Sequence, residues 1–253
     1  MTLIDTHCHL TFPPLCEDLA GVLDRATGAG VTRIVVPAYD PPSWRQVHDL
    51  ASAHPGVVHP ALGVHPWVAD QSFDLDDLAG HLRDSKAVAV GEIGLDGQIE
   101  SPAMPVQVAV LERQLELARD LDLPVILHCR GAFEELIGIL ERFSPRLPGV
   151  VHAFSRAPEL ARRFLRLGLA LGIGGAVTRP RAVRARETAA TVPLECLLLE
   201  TDAPSIGLDG VDPIAAEPRH VRDIAASIAE LRGLEPADVA QATTANARKL
   251  FGF

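Results

Sequence analysis

The chain reads as an α/β protein: a single (β/α)8 TIM barrel with extra C-terminal helices. Three observations predict it. Eight short apolar runs rich in Val, Ile and Leu alternate with longer segments of helical period. The runs are continuously apolar rather than alternating, as in a parallel sheet whose outer face is covered by helices. A length of 253 residues is what eight such units commonly need to close into one barrel. An open doubly wound sheet is the other arrangement with this order of elements.

The strands fall near Leu3–His9, Arg33–Pro37, Val57–Gly63, Ala87–Glu92, Pro124–His128, Gly149–His152, Leu169–Ile173 and Leu197–Thr201. Between them the helical pattern covers Asp18–Ala29, Pro42–His54, Asp74–Asp84, Pro105–Asp122, Phe133–Phe143, Pro158–Leu167 and Arg181–Thr191. Several of these open with Pro or Asp in the first turn and close near Gly, as helix termini favour. The fourth is the clearest: Val110, Leu111, Leu115, Ala118 and Leu121 share one face, with Glu112, Arg113, Glu116 and Arg119 elsewhere. After the last strand a Gly/Asp/Pro-rich loop, Ser205–Glu217, leads to two further helices, Pro218–Arg232 and Pro236–Leu250. Val221, Ile224, Ala225, Ile228 and Leu231 form the first one's core face. No low-complexity linker or internal repeat breaks the chain, which reads as one domain over residues 1–253.

Hydrophobic residues make up 47% of the chain and aromatics only 4%, so the core is aliphatic. A net charge of −10 argues against passive binding of nucleic acid through a Lys/Arg face. Phosphate substrates stay open, because bound metal ions supply positive charge locally. Cys8, Cys16, Cys129 and Cys196 show no C-x-x-C spacing. There is no basic segment followed by an apolar stretch at the N-terminus, and the uncharged run Leu50–Ala69 is broken by three prolines and three histidines. The expectation is a cytoplasmic protein with no membrane span and no obligate protein partner.

Residues 5–10 read "DTHCHL". Ten histidines in 253 residues give roughly 0.4 His-x-His pairs by chance, so His7 and His9 alone decide nothing. Glu92 in "VAVGEIGLD", His128 in "PVILHCR", His152 in "GVVHAFS" and Asp202 in "LLLETDAP" also end predicted strands. In an α/β barrel these C-terminal strand ends converge on one mouth. Alternation along a strand puts His7 and His9 on the inner face with Asp5 and turns Cys8 outward; it likewise puts His128 and Arg130 inward and Cys129 outward. Each residue has a plainer reading. The His pair suits a core strand, Glu92 a turn beside Gly91, and Asp202 a helix cap. His128 and His152 suit hydrogen-bonded core histidines. Six metal-type ligands at five converging strand ends are better explained by one site.

Four histidines and two carboxylates exceed the roughly three or four protein ligands of one catalytic zinc. Two divalent ions are therefore expected, with a bridging group between them. Lys86 precedes its strand and Lys249 lies almost at the C-terminus, so neither can supply a carbamylated lysine. A carboxylate must bridge, and Glu92 lies on a strand between those carrying the histidines. His7 and His9 with Asp202 then hold one ion, and His128 with His152 the other. Imidazole-rich ligation suits Zn, while carboxylate sharing and phosphate chemistry also allow Mg or Mn.

"DTHCHL", "GVHPW", "GEIGLD", "LPVILHCR", "VVHAFS", "GIGGAVTRPRA", "LLLETDAP" and the ending "TTANARKLFGF" resemble the TatD family of metal-dependent hydrolases, in the amidohydrolase superfamily. The wording is most similar to the family's YjjV-type subgroup, and the match runs nearly end to end. The resemblance implies a two-metal TIM barrel with phosphodiesterase or deoxyribonuclease activity on DNA ends or single strands. It makes His7, His9, Glu92, His128, His152 and Asp202 the metal ligands. It also puts His65 and Arg130 on the substrate side, although His65 is equally readable as a structural loop histidine. The chain departs from the family where Gly97 and Gln98 replace common aromatics, where Arg156 replaces the usual Gly, and where Ala216-Glu217-Pro218 replaces Asn-Glu-Pro.

The expected chemistry is attack on a phosphodiester by metal-activated water. Asp202 accepts the water's proton, Glu92 bridges, and Arg130 steadies charge on the phosphoryl oxygens. Two other readings compete: hydrolysis of a cyclic amide or lactone at carbon, and a metal-bound scaffold without activity. Arg130, Arg156 and Arg179, all near predicted strand ends, favour phosphate. A ligand set that leaves room for water favours an enzyme over a scaffold.

Overall fold

Every apolar run becomes a strand in the computed structural model, which describes residues 1–143 and 146–253. The strands are β1 (Leu3–Asp5), β2 (Val31–Pro37), β3 (Val58–Leu62), β4 (Ala89–Asp96), β5 (Val125–Arg130), β6 (Gly149–Val151), β7 (Leu169–Ile173) and β8 (Leu197–Leu199). They pair in parallel, in sequence order, as one eight-stranded sheet. The helices are α1 (Leu19–Gly28), α2 (Pro41–Ala53), α3 (Leu75–Asp84), α4 (Met104–Asp120), α5 (Phe133–Arg142), α6 (Pro158–Arg166), α7 (Val183–Thr191), α8 (Val221–Arg232) and α9 (Pro236–Phe251). Their ends follow cap chemistry. Asp40 and Ser43 form a capping box at α2, Asp74 caps α3 through the Asp76 and Asp77 amides, and Gly233 ends α8 in a left-handed conformation.

The sheet closes just past the ends of β8 and β1. Thr6 N donates to Leu199 O at 2.9 Å, Asp202 N to His7 O at 2.8 Å and His9 N to Ala203 O at 2.8 Å. The Asp5 carboxylate pins this seam, accepting from His7 N at 3.2 Å and from Thr201 N and Oγ1 at 3.0 and 2.6 Å. An open doubly wound sheet is thereby excluded.

Ile4, Val35, Ala61, Ala89, Ile126, Val150 and Leu198 form a buried cluster separate from the strand–helix core, with Ala170 of β7 packed against it. Ala247 and Phe251 of α9 complete the same cluster. The final helix thus plugs the floor of the barrel, while α8 fills the last place in the outer ring. A sealed apolar floor leaves the opposite, C-terminal mouth as the place where polar groups converge. Among the described residues, no helix is long and apolar enough to cross a membrane.

Three features of the mouth differ from simple expectation. First, β1 stops at Asp5, so His7 and His9 stand on the seam beyond the strand rather than within it. Ile4 faces the barrel interior and Leu3 the helices, so unbroken alternation would turn His7 and His9 outward. The bend at Thr6 resets the phase, and Cys8 is the one buried among the helices. Second, β4 continues past Glu92 to Asp96, and its ladder with β5 shifts register between Val90 and Ile93. That bulge adds one residue on β4 and re-aims Glu92 inward, where strict alternation from Ala89 would point it outward. Third, β6 and β8 end before His152 and Asp202, which occupy the first residues of the following loops.

Candidate metal centre

Glu92 sits at the middle of the mouth, buried, with imidazoles on both of its oxygens. Oε2 lies 3.2 Å from His7 Nε2 and 3.7 Å from His9 Nε2. Oε1 lies 2.8 Å from His152 Nε2, 2.9 Å from His128 Nδ1 and 3.2 Å from His65 Nε2. Asp202 Oδ1 stands across from the first pair, 3.3 Å from His9 Nε2 and 3.7 Å from His7 Nε2. Three overlapping groups are compact enough to hold a cation: His7, His9 and Asp202; His7, Glu92 and His152; His65, Glu92 and His128. The structure thus brings all six sequence-predicted ligands into one cluster. Neither lysine is near it, since Lys86 precedes β4 at the floor end and Lys249 lies on α9.

The electrostatics are those of a cluster that could hold a cation. Burial pushes the Glu92 carboxyl up, but His152, His65, His7 and a hydrogen bond from His128 outweigh it and hold the group well below the usual range. Burial lowers His152, yet Glu92 lifts it to about 10. Burial and the neighbouring His152 drive His7 down to about 4. Asp202 is lowered against its burial by the close imidazole of His9 and the charge of His7. Buried Asp202 Oδ1 has no hydrogen-bond partner among the described residues, nor do the Nδ1 atoms of His7, His9 and His152. A carboxylate oxygen left bare beside two facing imidazole nitrogens fits a divalent cation, and a mixed nitrogen and oxygen set suits Zn or Mn. Asp202 itself has φ 50°, a left-handed conformation uncommon for a residue with a side chain and frequent at functional sites.

His65 belongs to this cluster by position but differs in role. Its Nδ1 accepts from Trp67 N at 3.2 Å, so its proton is on Nε2, the atom facing Glu92. A ring with both nitrogens engaged this way is a hydrogen-bond donor to Glu92 rather than a lone-pair ligand. Burial lowers its pKa and keeps it neutral.

Several residues at the site are not among the predicted site residues, although Asp96 lies within "GEIGLD" and Glu200 within "LLLETDAP". Asp96, four residues beyond Glu92, faces His128 Nε2 at 3.3 Å and accepts from Trp67 Nε1 at 2.6 Å and from Arg130 Nε at 2.8 Å. With Nε2–H held by Asp96, His128 presents Nδ1 to the cluster. Burial opposes the charge on Asp96, but His128, Trp67 and Arg130 hold its carboxyl far below the usual range. Glu200 lies beneath His152, its Oε1 3.8 Å from Nδ1, and accepts from the Ala153 amide. Burial pushes Glu200 up to about 8. Gly172 makes room for it, since a Cβ there would lie 2.1 Å from Glu200 Oε2. Two glutamines on the buried face of α4 fix the flanking loops. Gln114 clamps Val64 N and O at 2.7 and 3.1 Å, and Gln107 clamps Asp96 N and O at 2.8 and 3.1 Å. The two glutamines are seven residues apart, in register with the apolar stripe, and that spacing is the signal that could have flagged them.

A cavity of about 320 Å3 opens from the cluster, lined by Trp67, His128, Arg130, Phe133, Arg156 and Asp202 among others. Arg130 lies over the Trp67 ring at 5.5 Å. Arg179 lies outside it, lining a neighbouring cavity and donating to Gly207 O at 2.7 Å.

Comparison with known proteins agrees with this architecture. The chain is 43% identical to the Escherichia coli K12 protein named uncharacterized metal-dependent hydrolase YjjV, over 98% of this chain and 97% of that one. It is 35% identical to a protein of Erwinia billingiae named 3'-5' ssDNA/RNA exonuclease TatD, over 98% of each chain. The crystal structure of YjjV, a TatD homolog from Escherichia coli K12, superposes with a TM-score of 0.91 at 39% identity, covering 99% of this chain and 98% of that one. The family model described as TatD related DNase matches residues 4–252. On that match and these identities, the chain belongs to the TatD family of metal-dependent hydrolases.

Proposed function

We propose that this protein is a two-metal phosphodiesterase acting on nucleic acid. The observation that carries the reading is the placement of Glu92, whose two oxygens face two separate sets of imidazoles. His7, His9 and Asp202 would hold one ion and His128 and His152 the other, with Glu92 shared. Divalent ions held there supply Lewis acidity and lower the pKa of water at neutral pH. The chain's own groups do the rest. Asp202, which lines the cavity, takes the proton of the attacking water on its carboxylate. His65 Nε2–H holds the Glu92 carboxylate in orientation. Asp96 does the same for His128, and it holds Arg130, which lines the cavity. The exonuclease name of the Erwinia billingiae relative supports nucleic acid as the polymer. Four free cysteines support a reducing, cytoplasmic setting.

Phosphate is favoured over a lactone or cyclic amide by the two arginines of the cavity wall, Arg130 and Arg156. Hydrolysis of bis(p-nitrophenyl) phosphate, a single-stranded oligonucleotide and a lactone, assayed side by side with metal-loaded protein, tests the reading. Turnover of the two phosphodiesters is expected. Turnover of the lactone alone would replace this reading with hydrolysis at carbon, and inactivity on all three would favour a scaffold.

A further inference from the structure

The cavity beside the metal-type cluster carries a cation that the expected chemistry does not use. Arg156 lies four residues beyond His152, in the loop leading to α6, and lines the same cavity as His128, His152 and Asp202. Its guanidinium carbon sits 5.1 Å above the centre of the Phe133 ring. Its backbone is fixed, because the hydroxyl of fully buried Thr188 donates to Arg156 O at 2.6 Å. Arg130 is tied to Asp96, but Arg156 forms no ion pair among the described residues.

A guanidinium held over an aromatic ring leaves N–H donors free, in the fork that matches phosphate oxygens. Val151, Phe154 and Ile206 give the cavity apolar walls, which suit a flat base. At about 320 Å3 the space is at the small end of ligand sites and takes one nucleoside unit rather than a base pair.

We propose that Arg156 binds a second phosphate of the substrate, one nucleoside away from the phosphate held at the cluster, so that the cavity recognises a nucleotide phosphorylated on both sides. The inference rests on the phosphodiester reading for the first phosphate. It makes Arg156 a specificity residue for the far phosphate and Phe133 the ring that orients it.

Calorimetric titration of adenosine 3′,5′-bisphosphate and of adenosine 5′- and 3′-monophosphates into Mn2+-loaded protein tests the assignment without turnover. For the wild type the bisphosphate should bind about tenfold tighter than either monophosphate, the worth of a charge-assisted contact. Arg156→Gln should erase that margin, and Arg156→Lys should keep only part of it, because an ammonium lacks the fork. Equal affinity of the wild type for bisphosphate and monophosphates overturns the proposal, and so does a margin that survives Arg156→Gln. The wild-type comparison needs no variant, so misfolding of either one cannot shelter the idea. Wild-type hydrolysis of bis(p-nitrophenyl) phosphate, which has no second phosphate, is read separately. Its absence counts against the phosphodiester reading, while the calorimetric margin still decides the role of Arg156.

Discussion

The Nε2 atoms of His7 and His9 stand 3.3 Å apart, and both face Asp202 Oδ1, at 3.7 and 3.3 Å. The Nδ1 atoms of both rings and Asp202 Oδ1 are buried without hydrogen-bond partners among the described residues. Two imidazole nitrogens and a bare carboxylate oxygen in such proximity need a shared proton or a cation between them. Asp202→Asn should therefore lower turnover by at least about a thousandfold, since it removes a ligand charge and the proton acceptor together. The metal-free variant should still unfold cooperatively near the wild-type temperature, because Oδ1 makes no hydrogen bond to lose. Turnover within tenfold of wild type in metal-loaded Asp202→Asn would remove Asp202 from the chemistry.

Metal binding should release protons and strengthen with pH. His152 has an ordinary value of 6.5 and is lifted to about 10 in the folded protein, so without metal it carries a proton at neutral pH. A metal needs the neutral ring, and below pH 10 that proton must leave. Affinity should rise about tenfold per pH unit for each proton released. The same shift contributes stability to the metal-free protein below pH 6.5, and that contribution is lost as pH rises through 10. Competition titrations at pH 6, 7 and 8, alongside metal-free denaturation over the same range, check both signs. A pH-independent metal affinity would mean that His152 is not a ligand.

Asp96→Asn should act on one half of the site only. It leaves a single acceptor oxygen where His128 Nε2, Arg130 Nε and Trp67 Nε1 now converge. Losing such a support typically costs about 10- to 100-fold in metal affinity or activity. The loss should fall on the His128–His152 half, with the His7–His9 half retained. Stepwise metal titration followed by elemental analysis would register one weakened equivalent and one unchanged.

Phe251→Ala should separate stability from function. Phe251 is buried at the barrel floor with Ile4, Val35 and Ile126, on the far side from Glu92. Truncation should cost about 3 kcal/mol in urea unfolding, while the number of metal ions bound per folded chain stays the same. A change in metal stoichiometry in the folded variant would show that floor and mouth are coupled.

The run "PVILHCR" already contains β5 and its inward His128, because each residue there obeys simple alternation from Ile126. The same rule carries Val150 to His152 and Leu198 to Asp202. It fails at the two places that matter most. On β1 the alternation from Ile4 points His7 and His9 the wrong way until the Thr6 bend corrects it, and on β4 the bulge between Val90 and Ile93 does the same for Glu92. Bends and bulges are set by pairing with neighbouring strands, which periodicity does not encode. Asp96 and Glu200 escape notice for a different reason. Each is a lone carboxylate whose role exists only through partners 32 and 48 residues away, His128 and His152. Gln107 and Gln114 look like the polar interruptions of an apolar helix face until the loops they clamp are in view.

A shared Glu92 would join two ions in one site. The direct measurement is the metal content per chain, by elemental analysis, of wild type and Glu92→Gln after equilibration with excess Mn2+ or Zn2+ and removal of free ion. Two equivalents are expected for the wild type and one or fewer for Glu92→Gln, with both proteins folded. One equivalent in the wild type, or two that survive in Glu92→Gln, would contradict it.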